Sequence, residues 1–258
     1  MSDSGRLVLS VEGGVGHLVI NRPERLNALD AGMIDELGSL CGEIERRRDI
    51  SVVILSGEGR AFCAGGDIDA WSGETPKDFG HGWIRDGHRV FDALARLRQP
   101  LIAVMNGHAL GGGLELAACA DYRIAETHIK IGQPETGLGI IPGWSGTQRA
   151  VRRFGAQAVR RMAMFGIIYT AAEALREGLV DQVVETGAGI GEGQKCAQAL
   201  MQRGPDATEL TKMLINAAEG EEVERVLEAF AGRIAAGSGD LKEGLAAFRD
   251  KRKPEFGK

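Results

Sequence analysis

Apolar and polar positions follow clear periods along much of the chain. Leu7 to Val11 and Val15 to Ile20 are two short β-type runs around Glu12-Gly13-Gly14, a hairpin signal. From Ala31 to Arg47 the period becomes helical. Ile34, Leu37, Leu40, Cys41 and Ile44 form one stripe, and Asp30 stands where an N-cap belongs. Ser51 to Leu55 is a β-branched run closed by Ser56-Gly57, the pattern of a strand covered on both faces. A helical pattern from Gly82 to Arg98 ends before Pro100, and the apolar run Leu101 to Met105 follows. Strand, helical crossover and strand predict parallel pairing. Farther on, the pattern predicts helices near 146–153, 156–164 and 171–177, then a strand from Val180 to Val184. Gly187 to Gly193 reads as a linker, followed by helices near 194–203, 206–218, 221–235 and 239–250. The expected architecture is an α/β core over residues 1–190 and a helical region over residues 191–258, with no short-period internal repeat.

Two stretches break these periods. Residues 57–71, GEGRAFCAGGDIDAW, are too rich in glycine for a regular element and too apolar for a plain surface loop. Within them, Ala64-Gly65-Gly66-Asp67 reads as the opening of a short helix, where backbone N–H groups have no intrahelical partner. The second stretch runs from Ile102 to Arg149. A turn at Asn106-Gly107 leads to Gly111-Gly112-Gly113, which open a helical pattern carrying Glu115. Two short apolar segments precede Glu135, which directly follows Pro134, and a glycine-rich turn from Gly139 to Gly146 feeds another helix. Without a Cβ at these glycines, a substrate oxygen could approach free amides closely, each worth roughly 2.7–4 kcal/mol when charge develops on that oxygen. The same glycines could instead only permit tight helix–strand packing. Glu115 has apolar neighbours on both sides, which predicts a buried acid. Glu135 by itself reads as a solvated loop acid. Facing one substrate, the two carboxyls could deliver and remove protons.

Composition narrows the classes. The 258 residues include 31 basic and 36 acidic side chains, a net charge of −5, which argues against a protein built to coat nucleic acid. Cys41, Cys63, Cys119 and Cys196 are scattered without metal-ligand spacing, so free buried thiols are expected and neither a disulfide framework nor a metal site. The first residues lack a signal-peptide pattern, and no apolar run approaches the ~18 residues of a membrane span. A cytoplasmic protein with no membrane association is the expectation.

The segments NRPERLNALD, AFCAGGDI, NGHALGGGLELAACAD, GQPETGLGIIPGWSGTQR and AAFRDKRKPEF, in this order, resemble the crotonase (enoyl-CoA hydratase/isomerase) superfamily. The resemblance runs through essentially the whole chain. It implies a spiral of ββα units with a helical C-terminal region that trimerises, as a homotrimer or as a homohexamer made of two trimers. It also implies that the amides of Gly66 and Gly112 would polarise the thioester carbonyl of an acyl-CoA. Glu115 and Glu135 would match the two acids of the hydratase branch, which adds water to a trans-2-enoyl-CoA. Glu115, with Glu135, would hold and activate the water, and Glu135 would protonate Cα. Arg25, Leu26, Ala28, Ala64, Asp67, Ile68, Gly143, Trp144, Phe248 and Lys251 would contact CoA or the acyl group. No cofactor is implied, coenzyme A being part of the substrate. A Δ3-Δ2-enoyl-CoA isomerase or another reaction on the same scaffold is the alternative, and a non-catalytic or RNA-binding member the remote one.

Three positions depart from the family pattern. Asp69 stands where many members have a basic residue near the CoA phosphates. Trp144 and Ser145 replace small residues after Gly143, and Trp144 could shape the acyl pocket or pack in the core. The basic run Arg249 to Lys253 could reach CoA or be a solvated helix end. His108, after Asn106-Gly107, reads as structural or exposed.

Overall fold

The computed structural model describes residues 5–256. It divides into two compact units, one ending at Glu209 and one beginning at Leu210.

In the first unit, the expected hairpin forms as β1 (Leu7–Glu12) and β2 (Val15–Ile20), paired antiparallel. The helix Ala31–Arg46 follows, and its Asp30 N-cap accepts the Met33 amide at 3.0 Å. Three consecutive strand pairs come next: β3 (Val52–Gly57) with β4 (Ala61–Cys63), β5 (Leu101–Met105) with β6 (His108–Leu110), and β7 (Tyr122–Glu126) with β8 (Lys130–Gly132). The first strand of each pair joins one sheet and the second joins another. The six-stranded sheet runs β1-β2-β3-β5-β7-β10, with β10 at Gln182–Val184, and is parallel from β2 onward. The four-stranded sheet runs β4-β6-β8-β9, with β9 at Tyr169–Thr170. Helical segments follow each pair, so the chain winds as a spiral of ββα turns. The repetition is structural and leaves no repeat in the sequence.

All six residues of β3 and all five of β5 are buried. Val53, Leu55, Ala103 and Met105 join the core that also holds Ile34, Leu37, Val90 and Phe91. Val52, Ile54, Ile102 and Val104 point the other way, into a second cluster with Ala197. Burial on both faces explains why these strands read as unbroken apolar runs.

Two expectations change. Residues Gly189 to Gly193 are the first turns of a helix, Gly189–Met201, rather than a linker. Their glycines bring the helix close to the sheet: a Cβ at Gly189 would stand 2.8 Å from Val104 Cγ1, and one at Gly193 2.7 Å from Val104 Cγ2. The helix expected from Gly82 is assembled from pieces: Pro76–Asp78, a π-wound turn over Phe79–Ile84, and Arg85–Ala95. Such π turns often mark functional sites.

In the second unit, Val223–Ala236 and Gly239–Arg249 are helical, the latter capped by Ser238. Leu227, Ile234, Leu245 and Phe248 are exposed. Among the described residues no helix is long and apolar enough to cross a membrane.

Candidate active site

The four-stranded sheet places the chemistry. β4, β6 and β8 run parallel, and the carboxyl ends of all three lead into glycine-rich or irregular backbone. Gly66 lies three residues past β4, Gly112 two past β6 and Glu135 three past β8. Parallel sheets commonly gather ligand-binding groups at their carboxyl ends. Glu115 sits on the first turn of the helix Gly112–Ala117, which follows β6.

Gly111 makes the turn between β6 and that helix. Its φ of 54° and ψ of −126° are accessible to glycine and strained for other residues. A Cβ there would also stand 3.2 Å from Glu135 Oε1. The Gly111 amide is used by the Gly132 carbonyl at 2.9 Å, which pins β6 to β8. The next amide, that of Gly112, opens the helix and has no acceptor among the described residues. The Gly66 amide has none either, because the bridge to Leu29 uses the Gly65 carbonyl and the Asp67 amide. The two glycine segments are neighbours: a Cβ at Gly65 would stand 3.2 Å from the Gly112 nitrogen. Two unpaired amides therefore stand close together at one wall of a cleft.

Glu115 is 3% exposed. Its Oε1 accepts the amides of Trp144 and Gly146, both at 2.7 Å, which leaves Oε2 for the cleft. A Cβ at Gly146 would overlap that same Oε1, so only glycine lets the turn donate. Gln133 holds the turn from behind, its Nε2 donating to the Gly146 carbonyl at 2.7 Å. Burial and the nearby Glu135 charge push the Glu115 carboxyl up to about 8, against the two amides and the Arg149 charge. Glu135 is 8% exposed, not solvated as its loop position suggests. Burial pushes it up to about 7. Neither of its oxygens has a hydrogen-bond partner among the described residues. Pro134 and the short turn Glu135–Leu138 place it, and Thr136 Oγ1 ties that turn to the Ala163 carbonyl at 2.7 Å.

Ala64, Gly66, Ile68, Gly112, Glu115, Glu135, Gly143 and Trp144 all line this one cleft. Trp144 is both buried in the core and part of the cleft wall. Asp67 is not among the lining residues. Its carboxylate pairs with Arg22 at 2.8 Å and caps the short helix Ile68–Trp71. Arg25, Leu26 and Ala28 sit on the adjoining loop, held by buried Asn27, whose side chain accepts the Arg22 amide and donates to the Glu58 and Ala61 carbonyls. Asp69, the unusual acid, pairs with Arg25 at 3.0 Å on the surface. Phe248 and Lys251 belong to the second unit, where Phe248 is exposed. His108 is exposed and its Nδ1 accepts the Lys130 amide, a structural contact. Cys41, Cys63 and Cys119 are buried free thiols, while Cys196 is only half-buried.

Sequence reasoning missed Trp71, Phe79, Trp83, Ile84, Leu138, Ile140 and Ile141, which complete the cleft wall. It also missed Arg149, 1% exposed, whose guanidinium reaches Asp92 at 2.5 Å and Cys119 Sγ at 3.7 Å behind Glu115. Its helix, Gln148–Phe154, carries two further arginines, so no sequence signal singled it out.

Comparison with known proteins identifies the family. The enoyl-CoA hydratase/isomerase family model matches residues 10–258. A short-chain-enoyl-CoA hydratase of Clostridium acetobutylicum is 38% identical over 254 residues, covering 96% of each chain. A crotonyl-CoA hydratase of Syntrophomonas wolfei is 36% identical over 256 residues, covering 97% of each. The solved structure of an enoyl-CoA hydratase from Bacillus anthracis superposes with a TM-score of 0.81 at 32% identity, over 98% of this chain and 99% of that one. Sequence and fold agree along nearly the whole length, and this chain is a member of the enoyl-CoA hydratase/isomerase family.

Proposed function

We propose that the chain is an enoyl-CoA hydratase, adding water across the 2,3 double bond of a trans-2-enoyl-CoA to give a 3-hydroxyacyl-CoA, reversibly. The observation that carries this reading is the pair of buried carboxyls, Glu115 and Glu135, lining one cleft with two unpaired glycine amides. The amides of Gly66 and Gly112 receive the thioester oxygen. As the water oxygen bonds to Cβ, the double-bond electrons move through Cα toward the thioester oxygen, and the two N–H groups stabilise the developing enolate. Glu115 and Glu135 hold the water and take its proton. Glu135 returns a proton to Cα, completing the addition of H and OH. Carboxyls raised to about 8 and about 7 suit this exchange near neutral pH. Metal or redox chemistry is not needed for the atoms to balance.

Coenzyme A enters as part of the substrate. Ala64 and Ile68 of the cleft lining, and Arg25, Leu26 and Ala28 of the adjoining loop, are the proposed contacts for it, with Phe248 and Lys251 proposed to reach it from a neighbouring subunit. Assembly as a homotrimer, singly or doubled to a hexamer, is proposed from the exposed Ile234, Leu245 and Phe248. A reducing cytoplasm fits the four free cysteines.

The test is an assay of purified protein with crotonyl-CoA beside a 3-enoyl-CoA. Rapid loss of the crotonyl double bond, with 3-hydroxybutyryl-CoA as product, is the expected result. Much faster conversion of the 3-enoyl ester would make the chain an isomerase instead.

A further inference from the structure

Trp144, the residue after Gly143, carries a bulky side chain at the buried end of the cleft. The residue is 3% exposed. Its Nε1 donates to the Trp83 carbonyl at 3.0 Å, so its single polar atom is satisfied. The ring packs against Trp83, with centroids 4.9 Å apart, and against Phe91, 5.0 Å apart. Two glycines abut it on the catalytic side. A Cβ at Gly112 would stand 2.8 Å from indole Cζ3, and one at Gly66 would stand 3.5 Å from Cη2. The ring therefore lies within a side chain's width of both free amides. On its other side is Gly87, in the interior of the helix Arg85–Ala95, where glycine is disfavoured. A Cβ at Gly87 would overlap the indole nitrogen and stand 2.6 Å from Cδ1 and Cε2. The helix thus has a notch that this one side chain fills. Ile84, on the preceding π turn, closes the same end against Gly143, where a Cβ would overlap Ile84 Cδ1.

We propose that Trp144, seated on Gly87 and fixed by the Trp83 carbonyl, is the specificity-determining floor of the acyl cleft and restricts the enzyme to enoyl thioesters with short acyl chains. The inference rests on the hydratase reading for where the thioester sits. With the carbonyl oxygen at Gly66 and Gly112, the acyl carbons beyond Cβ meet a ring that cannot rotate away. A crotonyl tail fits in front of it and a long alkyl tail does not.

The experiment measures kcat/KM for crotonyl-CoA and trans-2-decenoyl-CoA. The wild type favours crotonyl-CoA by roughly tenfold or more, the discrimination that a mismatched apolar pocket supplies. Trp144→Ala raises the decenoyl-to-crotonyl ratio by roughly tenfold or more, and Trp144→Phe raises it less. Gly87→Ala, displacing the indole from behind, shifts the ratio when Trp144 is present and leaves it unmoved in the Trp144→Ala background. If Trp144→Ala fails to fold, Trp144→Phe and Gly87→Ala carry the same comparison. A wild-type ratio near one, or a ratio that none of these variants moves, overturns the proposal. Calorimetry with butyryl-CoA and decanoyl-CoA separates the two readings. Wild-type discrimination in Kd, lost on replacing Trp144, in a protein that hydrates neither crotonyl-CoA nor trans-2-decenoyl-CoA keeps the floor and removes the hydratase reading. Hydration without discrimination does the reverse.

Discussion

In the six-stranded sheet, β3 and β5 are buried along their whole length between helices on both faces. In the four-stranded sheet, three strands of three residues each end beside Gly66, Gly112 and Glu135. The two sheets share the same spiral, and the three pairs β3-β4, β5-β6 and β7-β8 each contribute one strand to each. The large sheet has the apolar area to hold the fold. The small one has little area, and its parallel carboxyl ends aim backbone amides and a carboxyl at one cleft. Stability and chemistry are thus carried by successive strands of the same turn. A change in the small sheet should cost activity out of proportion to stability, and a change in the large sheet the reverse.

The largest expected effect is at the carboxyls. Glu115→Gln and Glu135→Gln should each lower kcat for hydration by roughly 10²–10⁴-fold while the protein stays folded. Near-wild-type turnover of crotonyl-CoA by either variant would separate the small sheet from the chemistry. Next is Gly113→Ala. A Cβ there would overlap the Cys63 carbonyl and stand 2.8 Å from its carbon, so the helix bearing Glu115 must lift off β4. Overpacking of this kind costs about 1–3 kcal/mol, and a shift of about 1 Å at a reacting group can cost about 10²-fold in rate. Denaturant unfolding beside steady-state kinetics would show whether the loss in kcat exceeds the loss in stability.

The third effect is on pH. Both carboxyls are held above their ordinary value of 4.5 in the folded chain, at about 8 and about 7. Between those limits the folded state binds more protons than the unfolded one. Stability is then fully present below about 4.5 and declines as pH rises toward 8, by up to about 1.4 kcal/mol per pH unit for each carboxyl. Glu115→Gln and Glu135→Gln should each flatten that slope in denaturant titrations at several pH values. A slope unchanged in both variants would show that the site carboxyls titrate normally. The smallest effect belongs to the large sheet. Ile54→Val, on the fully buried β3, should cost about 0.5–1.5 kcal/mol with kcat unchanged. A fall in kcat with stability intact would break the division of labour between the sheets.

The same division decides what could be read beforehand. β3 and β5 are unbroken apolar runs, and their pattern reports burial on both faces without any partner being known. Ala61–Cys63, His108–Leu110 and Lys130–Gly132 have no such pattern. Each is three residues long, and each is a strand only because a neighbouring turn of the spiral supplies its hydrogen bonds. Gly189 and Gly193 misled for a related reason. Glycine in sequence marks a break, yet here it marks a helix pressed against Val104. Glu115 was legible as a buried acid from its apolar neighbours. Glu135 was not, because its burial comes from elements distant in sequence.

By itself, the sequence determined the long strands, the amphipathic helices, the absence of metal-ligand spacing, and, by resemblance, the family and the candidate residues. These rest on local periods and local motifs. Only the tertiary structure decided that Gly66, Gly112, Glu115 and Glu135 share one cleft, that Asp67 is bound to Arg22, and that Trp144 fills a notch at Gly87. Each of these depends on atoms brought together across 20 to more than 60 positions of chain, and no local period records such a contact.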